Sequence, residues 1–219
     1  MFERNPIFAD RADAGRRLAE CLRMNLKDPV VLALPRGGVP VGFEIAKALK
    51  APLDVLLVRK IGAPGHEEFA LGAVVEADMP IVVLNEAVPS RLTAYIDETA
   101  RRQVQEIERR RKAYRGGRSL APVAGRSAIV VDDGIATGAT FRAALEAMKR
   151  MDAANVIAAI PVAPEESLPA LEELADAVVC LETPEPFYAV GLHYGDFSQT
   201  TDEEVVGLLK QAASLKNAA

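Results

Sequence analysis

The sequence specifies an α/β domain with a doubly wound, mainly parallel sheet and helices on both faces, and three observations lead there. Apolar runs at 30–34, 54–58, 128–131, 156–162 and 177–181 lack the alternation of half-exposed strands, so they suit strands covered on both faces. Amphipathic helical patterns separate most of them, the order expected of crossovers between parallel strands. Glycine-rich loops follow two of the runs, at the carboxyl ends where open α/β sheets bind ligands.

From about Phe8 to Met24, Phe8, Ala12, Gly15, Leu18, Ala19 and Leu22 recur at helical spacing with Arg11, Arg16 and Arg17 between them, predicting a helix over one face of the sheet. Asp28-Pro29 breaks the chain before the first strand, Val30–Leu34. Pro35-Arg36-Gly37-Gly38-Val39-Pro40 then turns into a helix carrying Val41, Ile45, Ala46 and Leu49. In that loop the glycine pair lets backbone approach a ligand, and Arg36 offers a permanent bidentate donor; an ordinary βα turn with an exposed arginine is the alternative. Asp54–Val58 is a second strand that presents Arg59 and Lys60 at its end. Between Ile61 and Glu76 the breakers Gly62, Pro64, Gly65 and Gly72, with alternation in Phe69, Leu71, Ala73 and Val75, predict a hairpin arm. His66, Glu67 and Glu68 read as exposed polar residues of that arm rather than metal ligands.

After a strand at Ile81–Leu84, a long helical pattern runs from about Ser90 to Tyr114 with one apolar stripe, Leu92, Ile96, Ala100, Val104 and Ile107. Its arginines are interleaved with Asp97, Glu98, Glu106 and Glu108, which describes a solvated face, or second a dimer contact, ahead of a nucleic-acid patch.

The stretch Ser127–Thr140, SAIVVDDGIATGAT, is the richest in chemistry. A buried strand delivers Asp132 and Asp133, and a turn rich in Gly and Thr opens into a helix bearing Phe141, Ala144, Leu145, Met148 and Met151. Capping that helix needs one small polar residue. Here Asp132, Asp133, Gly134, Thr137, Gly138 and Thr140 fall within nine positions. Loop amides and the positive end of the helix dipole converge on a place for an anion, while the adjacent carboxylates suit hydroxyls or a metal. A phosphate at one end and hydroxyls at the other describe a phosphorylated sugar.

Beyond it come the strand Val156–Val162, a helix from Pro164 through Leu168, Leu171 and Leu174, and the strand Ala177–Leu181. The tail gathers Phe187, Tyr188, Tyr194 and Phe197, read first as a cluster clamping a terminal helix that begins with the capping box Thr201-x-x-Glu204.

With 219 residues, 50% of them hydrophobic, the chain can bury a full core. No apolar run approaches the roughly 18 residues of a membrane span, and Met1-Phe2-Glu3-Arg4 does not start a signal peptide, so a cytoplasmic protein without a membrane partner is expected. Cys21 and Cys180 share no metal-like spacing. Two histidines, His66 and His193, leave carboxylates, backbone amides and cations to carry the chemistry. A net charge of −5 argues against nonspecific nucleic-acid binding, and no nucleic-acid partner is expected.

The motif IVVDDGIATGAT resembles the phosphoribosyl pyrophosphate (PRPP) signature of type I phosphoribosyltransferases. The longer stretches VRKIGAPGHEEFALGAV and PFYAVGLHYGDFSQ are similar to a bacterial group of phosphoribosyltransferase-like proteins whose acceptor is not evident from sequence. The resemblance implies a single domain over 1–219, with a flexible arm, a long helical insertion at about 88–115 and a C-terminal hood at about 183–213. It implies ribose binding by Asp132 and Asp133, and 5′-phosphate binding by Gly134, Ile135, Ala136, Thr137, Gly138, Ala139 and Thr140. Pyrophosphate would be held by Arg36, Gly37, Gly38 and Lys60, the first loop often using a non-proline cis peptide. Asp132, Asp133 and Lys60 become the candidate catalytic residues, and Phe187, Tyr188 and Tyr194 a candidate hood over the acceptor. The implied reaction transfers the 5-phosphoribosyl group from PRPP to a nitrogen nucleophile, a nucleobase or related amine, and releases pyrophosphate. Mg²⁺ would arrive with PRPP near Asp132 and Asp133, with no dedicated protein ligand, and a homodimer is expected. The alternative is a PRPP- or nucleotide-sensing regulator without turnover.

Overall fold

The computed structural model of the chain describes residues 6–22, 25–85 and 88–217. Five parallel strands form the central sheet: β1 (Val30–Ala33), β2 (Leu53–Val55), β6 (Ser127–Val131), β7 (Asn155–Val162) and β8 (Ala177–Glu182), in the order β2-β1-β6-β7-β8. Every residue of β1 and β6 is buried, as their uninterrupted apolar character requires. Most of their side chains divide between two cores. Val31, Ile129 and Val131 pack with Leu18 of α1 (Arg11–Cys21) and Val41 and Ile45 of α2 (Gly38–Leu49). Leu32 and Val130 face the other way, onto Phe141, Leu145 and Met148 of α4 (Ala139–Arg150). The doubly wound, mainly parallel sheet is therefore present.

The arm is an antiparallel sheet of β3 (Val58–Ala63), β4 (His66–Val75) and β5 (Ile81–Leu84), turning at Pro64-Gly65. Ala73, Val75 and Val83 join the core of α4. Ile61, Leu71 and Val74 join that of α3 (Thr93–Arg115), where Ile96, Ala100 and Ile107 form the buried stripe. Helix α6 (Asp202–Asn217) adds Val205 to the same core and starts at the expected capping box, with Glu204 N–H donating to Thr201 Oγ1 at 3.1 Å and Thr201 N–H to Glu204 Oε2 at 2.7 Å.

Three boundaries differ from expectation. The run at 54–58 is two strands: Leu56 N–H still donates to Ala33 of β1, whereas the Leu57 carbonyl accepts from Glu76 beyond β4. Arg59 and Lys60 consequently lie inside β3 of the arm and not at the end of a central strand. An unbroken apolar run carries no mark of where it changes sheets. Phe8 stands outside α1, because the Asp10 side chain caps that helix by accepting from Asp13 N–H at 2.7 Å; Phe8 instead bridges Tyr194. Met24, the expected end of this helix, lies outside the described residues. The helix after Pro164 is reduced to a 3₁₀ turn and a short α5 (Leu168–Glu172).

Candidate active site

The strand order reverses direction between β1 and β6, which makes the crevice beyond their carboxyl ends a switch point of the sheet. Ala33 and Val131 end their strands in register, and Leu34 N–H donates to the Val131 carbonyl at 2.8 Å, so the two glycine-rich loops leave side by side. The Pro35–Arg36 peptide bond is cis. Gly37 has φ −61° and ψ −34°, a conformation open to any residue. Its glycine is required by proximity: a Cβ there would stand 1.9 Å from Asp133 Oδ2, and one on Gly38 would stand 2.7 Å from the Val131 carbonyl oxygen. The first loop is packed against the acidic pair itself.

Asp132 and Asp133 are half-buried and linked, Asp133 N–H donating to Asp132 Oδ1 at 2.9 Å. Burial first, and the charge of Asp133 second, push the Asp132 carboxyl well above the usual carboxylate range. Hydroxyl donors or a divalent cation brought to the pair would relieve that penalty. Behind it, Gly134 at φ 149° lies against the end of β7, where a Cβ would come within 2.6 Å of Val190 and 2.9 Å of Val162. Ile135 is buried, and its N–H is taken by the Val162 carbonyl, so this member of the loop anchors it rather than facing a ligand. Ala136 and Thr137 are exposed at the mouth, and Gly138 at φ 68° leads into Ala139, Thr140 and the positive end of α4.

The remaining candidates are distributed around this crevice. Arg36 forms an ion pair with Asp202 at the start of α6, Nη1 to Oδ1 3.6 Å, and Asp202 also accepts from the Tyr114 hydroxyl at 2.7 Å. Lys60 lines a cleft that Thr140 also borders. Phe187 pairs with the His193 ring at 5.3 Å and lines a second cleft of about 580 Å³ beside the cis Glu185–Pro186 bond. Tyr188 is 75% exposed. Tyr194 is buried against Phe8 and Phe197, ring centroids 5.2 and 5.0 Å away, and its hydroxyl donates to the Asp133 carbonyl. It supports the acidic pair from behind, and burial holds its phenol up and neutral.

Sequence reasoning leaves Arg11 as one of several surface arginines. In the structure its Nε donates to Asp133 Oδ2 at 2.7 Å, its Nη1 donates to the Ser198 carbonyl at 2.8 Å, and the guanidinium stacks 3.9 Å from the Phe197 ring centroid. The helical pattern shows only that Arg11 avoids the apolar stripe; nothing local points to residue 133.

Among the described residues no group of three or more His, Cys, Asp or Glu side chains gathers as a metal site. Asp132 and Asp133 nevertheless suit an oxygen-seeking ion that takes most of its ligands from a phosphorylated substrate, the usual manner of Mg²⁺.

A switch-point crevice walled by a glycine loop and an acidic signature loop defines the class, an α/β protein of phosphoribosyltransferase type. The chain belongs to the phosphoribosyl transferase domain family, whose profile matches residues 7–194. It is 48% identical over 210 residues, 94% of its length, to "Putative phosphoribosyl transferase Rv0571c" of Mycobacterium tuberculosis, and spans 47% of that protein. The crystal structure of TT1426 from Thermus thermophilus, 44% identical, superposes with a TM-score of 0.82 over 93% of this chain and 98% of that one. AQ2163 of Aquifex aeolicus, 13% identical, shares the fold at a TM-score of 0.50 over 83% and 78% of the two chains.

Proposed function

We propose that this chain transfers the 5-phosphoribosyl group of PRPP to a nitrogen nucleophile and releases pyrophosphate. The observation that carries the reading is the contact of Gly37 and Gly38 with Asp133 and Asp132. A loop suited to pyrophosphate and a carboxylate pair suited to ribose thus lie side by side, which supports a ligand carrying both groups on one sugar. The loop from Gly134 to Thr140, at the start of α4, takes the 5′-phosphate.

The chemistry follows from where charge develops. As the bond between the ribose C1 and pyrophosphate breaks, its electron pair leaves with the pyrophosphate, the sugar becomes cationic at C1, and the nitrogen lone pair forms the new bond. Asp132 and Asp133 accept hydrogen bonds from the ribose hydroxyls and lie on the side of the growing positive charge. Arg11 orients Asp133, and the phosphate loop holds the far end of the sugar, so the reacting carbon is presented in one orientation. Arg36 and Lys60 are the cations proposed to neutralise the leaving group. Mg²⁺ bound with the donor at Asp132 and Asp133 would supply further neutralisation of pyrophosphate.

The test pairs calorimetric titration of PRPP in Mg²⁺ with pyrophosphate release over a panel of nucleobases and amines. Asp132→Asn with Asp133→Asn is expected to abolish PRPP binding in a protein that still melts cooperatively; unchanged affinity in the double variant overturns the assignment. Binding by the wild type with no pyrophosphate release against any acceptor favours a sensing role instead. At the C-terminal end of α3, Arg109 and Arg110 are bonded to Glu106 and Arg111 to Glu108 of the same helix.

A further inference from the structure

A cleft of about 490 Å³ runs between β3 and α3 and reaches the start of α4. Arg59 and Lys60 enter it from the arm, Arg102 and Gln103 from the long helix, and Thr140 from the end of the acidic signature loop. Among the described residues lining it there is no Asp or Glu. Neutral acceptors fix both guanidinium groups: Arg59 Nε donates to Gln103 Oε1 at 3.1 Å, and Arg102 Nη2 donates to Thr99 Oγ1 at 3.2 Å. These bonds orient the two cations without neutralising either.

The nearby carboxylate of α3 does not make up the difference. Glu106 is held by Arg109 and Arg110, which bring two charges for its one. Burial, and then the charges of Arg110 and Arg109, lower the Arg59 guanidinium from its ordinary range, with Glu106 opposing. Arg59 and Arg102 thus border an open volume with their guanidinium groups already oriented, a condition under which an anion binds with little rearrangement.

We propose that this cleft is a phosphate-binding subsite in which Arg59 of the arm and Arg102 of α3 clamp a phosphate group beside Thr140. The planar forks of two arginines suit tetrahedral phosphate oxygens better than a point charge does. The same chemistry could come from a phosphate of the donor or from a free polyphosphate bound alongside it. Only the choice between those sources rests on the PRPP reading.

The experiment titrates inorganic pyrophosphate into the wild type, Arg102→Gln and Arg101→Gln, followed by calorimetry. Arg101 and Arg102 are exposed neighbours on one helix, so either variant folds and both lose the same charge, but only Arg102 lines the cleft. Arg102→Gln is expected to weaken pyrophosphate binding by about ten- to a hundredfold, the worth of a charge-assisted hydrogen bond. Arg101→Gln should change it by less than about threefold. Equal losses in the two variants, or no binding to the wild type at millimolar pyrophosphate, overturn the subsite. A repeat in saturating PRPP and Mg²⁺ separates the sources: competition assigns the cleft to the donor, and undiminished binding assigns it to a separate polyphosphate. If PRPP fails to bind while pyrophosphate binding still depends on Arg102, the donor assignment falls and the subsite stands. If PRPP binds but Arg102→Gln takes pyrophosphate as the wild type does, the reverse holds.

Discussion

Asp132 sets binding against stability within one side chain. Its folded carboxyl is raised by burial and by Asp133, so ionising it costs folding free energy. The sign follows from linkage: its contribution is most favourable below the unfolded pKa of about 3.9 and is lost as pH rises through the higher folded value. Asp132→Asn removes the charge, and its amide oxygen can still accept from Asp133 N–H. The variant should therefore melt higher than the wild type at pH 7.5, by about 2–4 °C for each kcal/mol of relieved penalty, and the gap should close near pH 4. PRPP affinity should be lost at the same time, a stability gain at the expense of function. A lower melting temperature for the variant at pH 7.5 contradicts this account. The acidic pair is legible in the sequence because its neighbours in the chain are also its neighbours in the site. Arg11 is not, since its partner lies 122 positions away.

At the level of elements, the junction of arm, long helix and central sheet is a buried ion network absent from any sequence pattern. Arg115, the last residue of α3, has a side chain with no exposed surface; its Nη1 lies 3.4 Å from Asp54 Oδ2, and its Nη2 bonds Glu76 just after β4. Asp54 Oδ2 also accepts from Ala121 N–H at 2.9 Å. Burial raises the Glu76 carboxyl, with Arg115 opposing. Replacing Arg115 by Met leaves two carboxyls without their cation, a loss of about 3–5 kcal/mol, or on the order of 6–20 °C in melting temperature. Adding Glu76→Gln to Arg115→Met should restore part of it, because the second change removes a charge already stranded. Strictly additive losses by thermal denaturation would exclude the coupling. In sequence, Arg115 precedes a Gly pair and Asp54 reads as the start of a strand, and no periodicity links the two. The helix stripe, the capping box and the hairpin are legible because each depends on residues a few positions apart.

Across the whole molecule, the site depends on the segments at 7–11 and 193–198 meeting behind it. Ile7 and Phe8 N–H groups donate to the His193 carbonyl at 2.9 and 3.0 Å, and Gly195 and Asp196 return bonds to the Phe8 and Ala9 carbonyls at 2.8 Å. That ribbon carries Arg11 to the side chain of Asp133 and Tyr194 to its carbonyl. The alternation of strands and helices predicts a parallel sheet, yet it says nothing of this closure, which arises from single residues with no periodicity. Its consequence is mechanical: a ligand that fixes Asp133 must also fix both ends of the ribbon. Saturating PRPP and Mg²⁺ at about a hundred times Kd adds about 2.7 kcal/mol of stability. Hydrogen exchange should then slow at residues 7–9 and 194–198 as well as at 132–140. In Arg11→Ala the Asp133 carboxylate loses its tie to the Ser198 carbonyl and the Phe197 ring, so protection at 194–198 should fall sharply while some remains in the signature loop. Protection confined to 132–140 in the wild type would show that the ribbon is packing alone and that Arg11 does not transmit occupancy of the site.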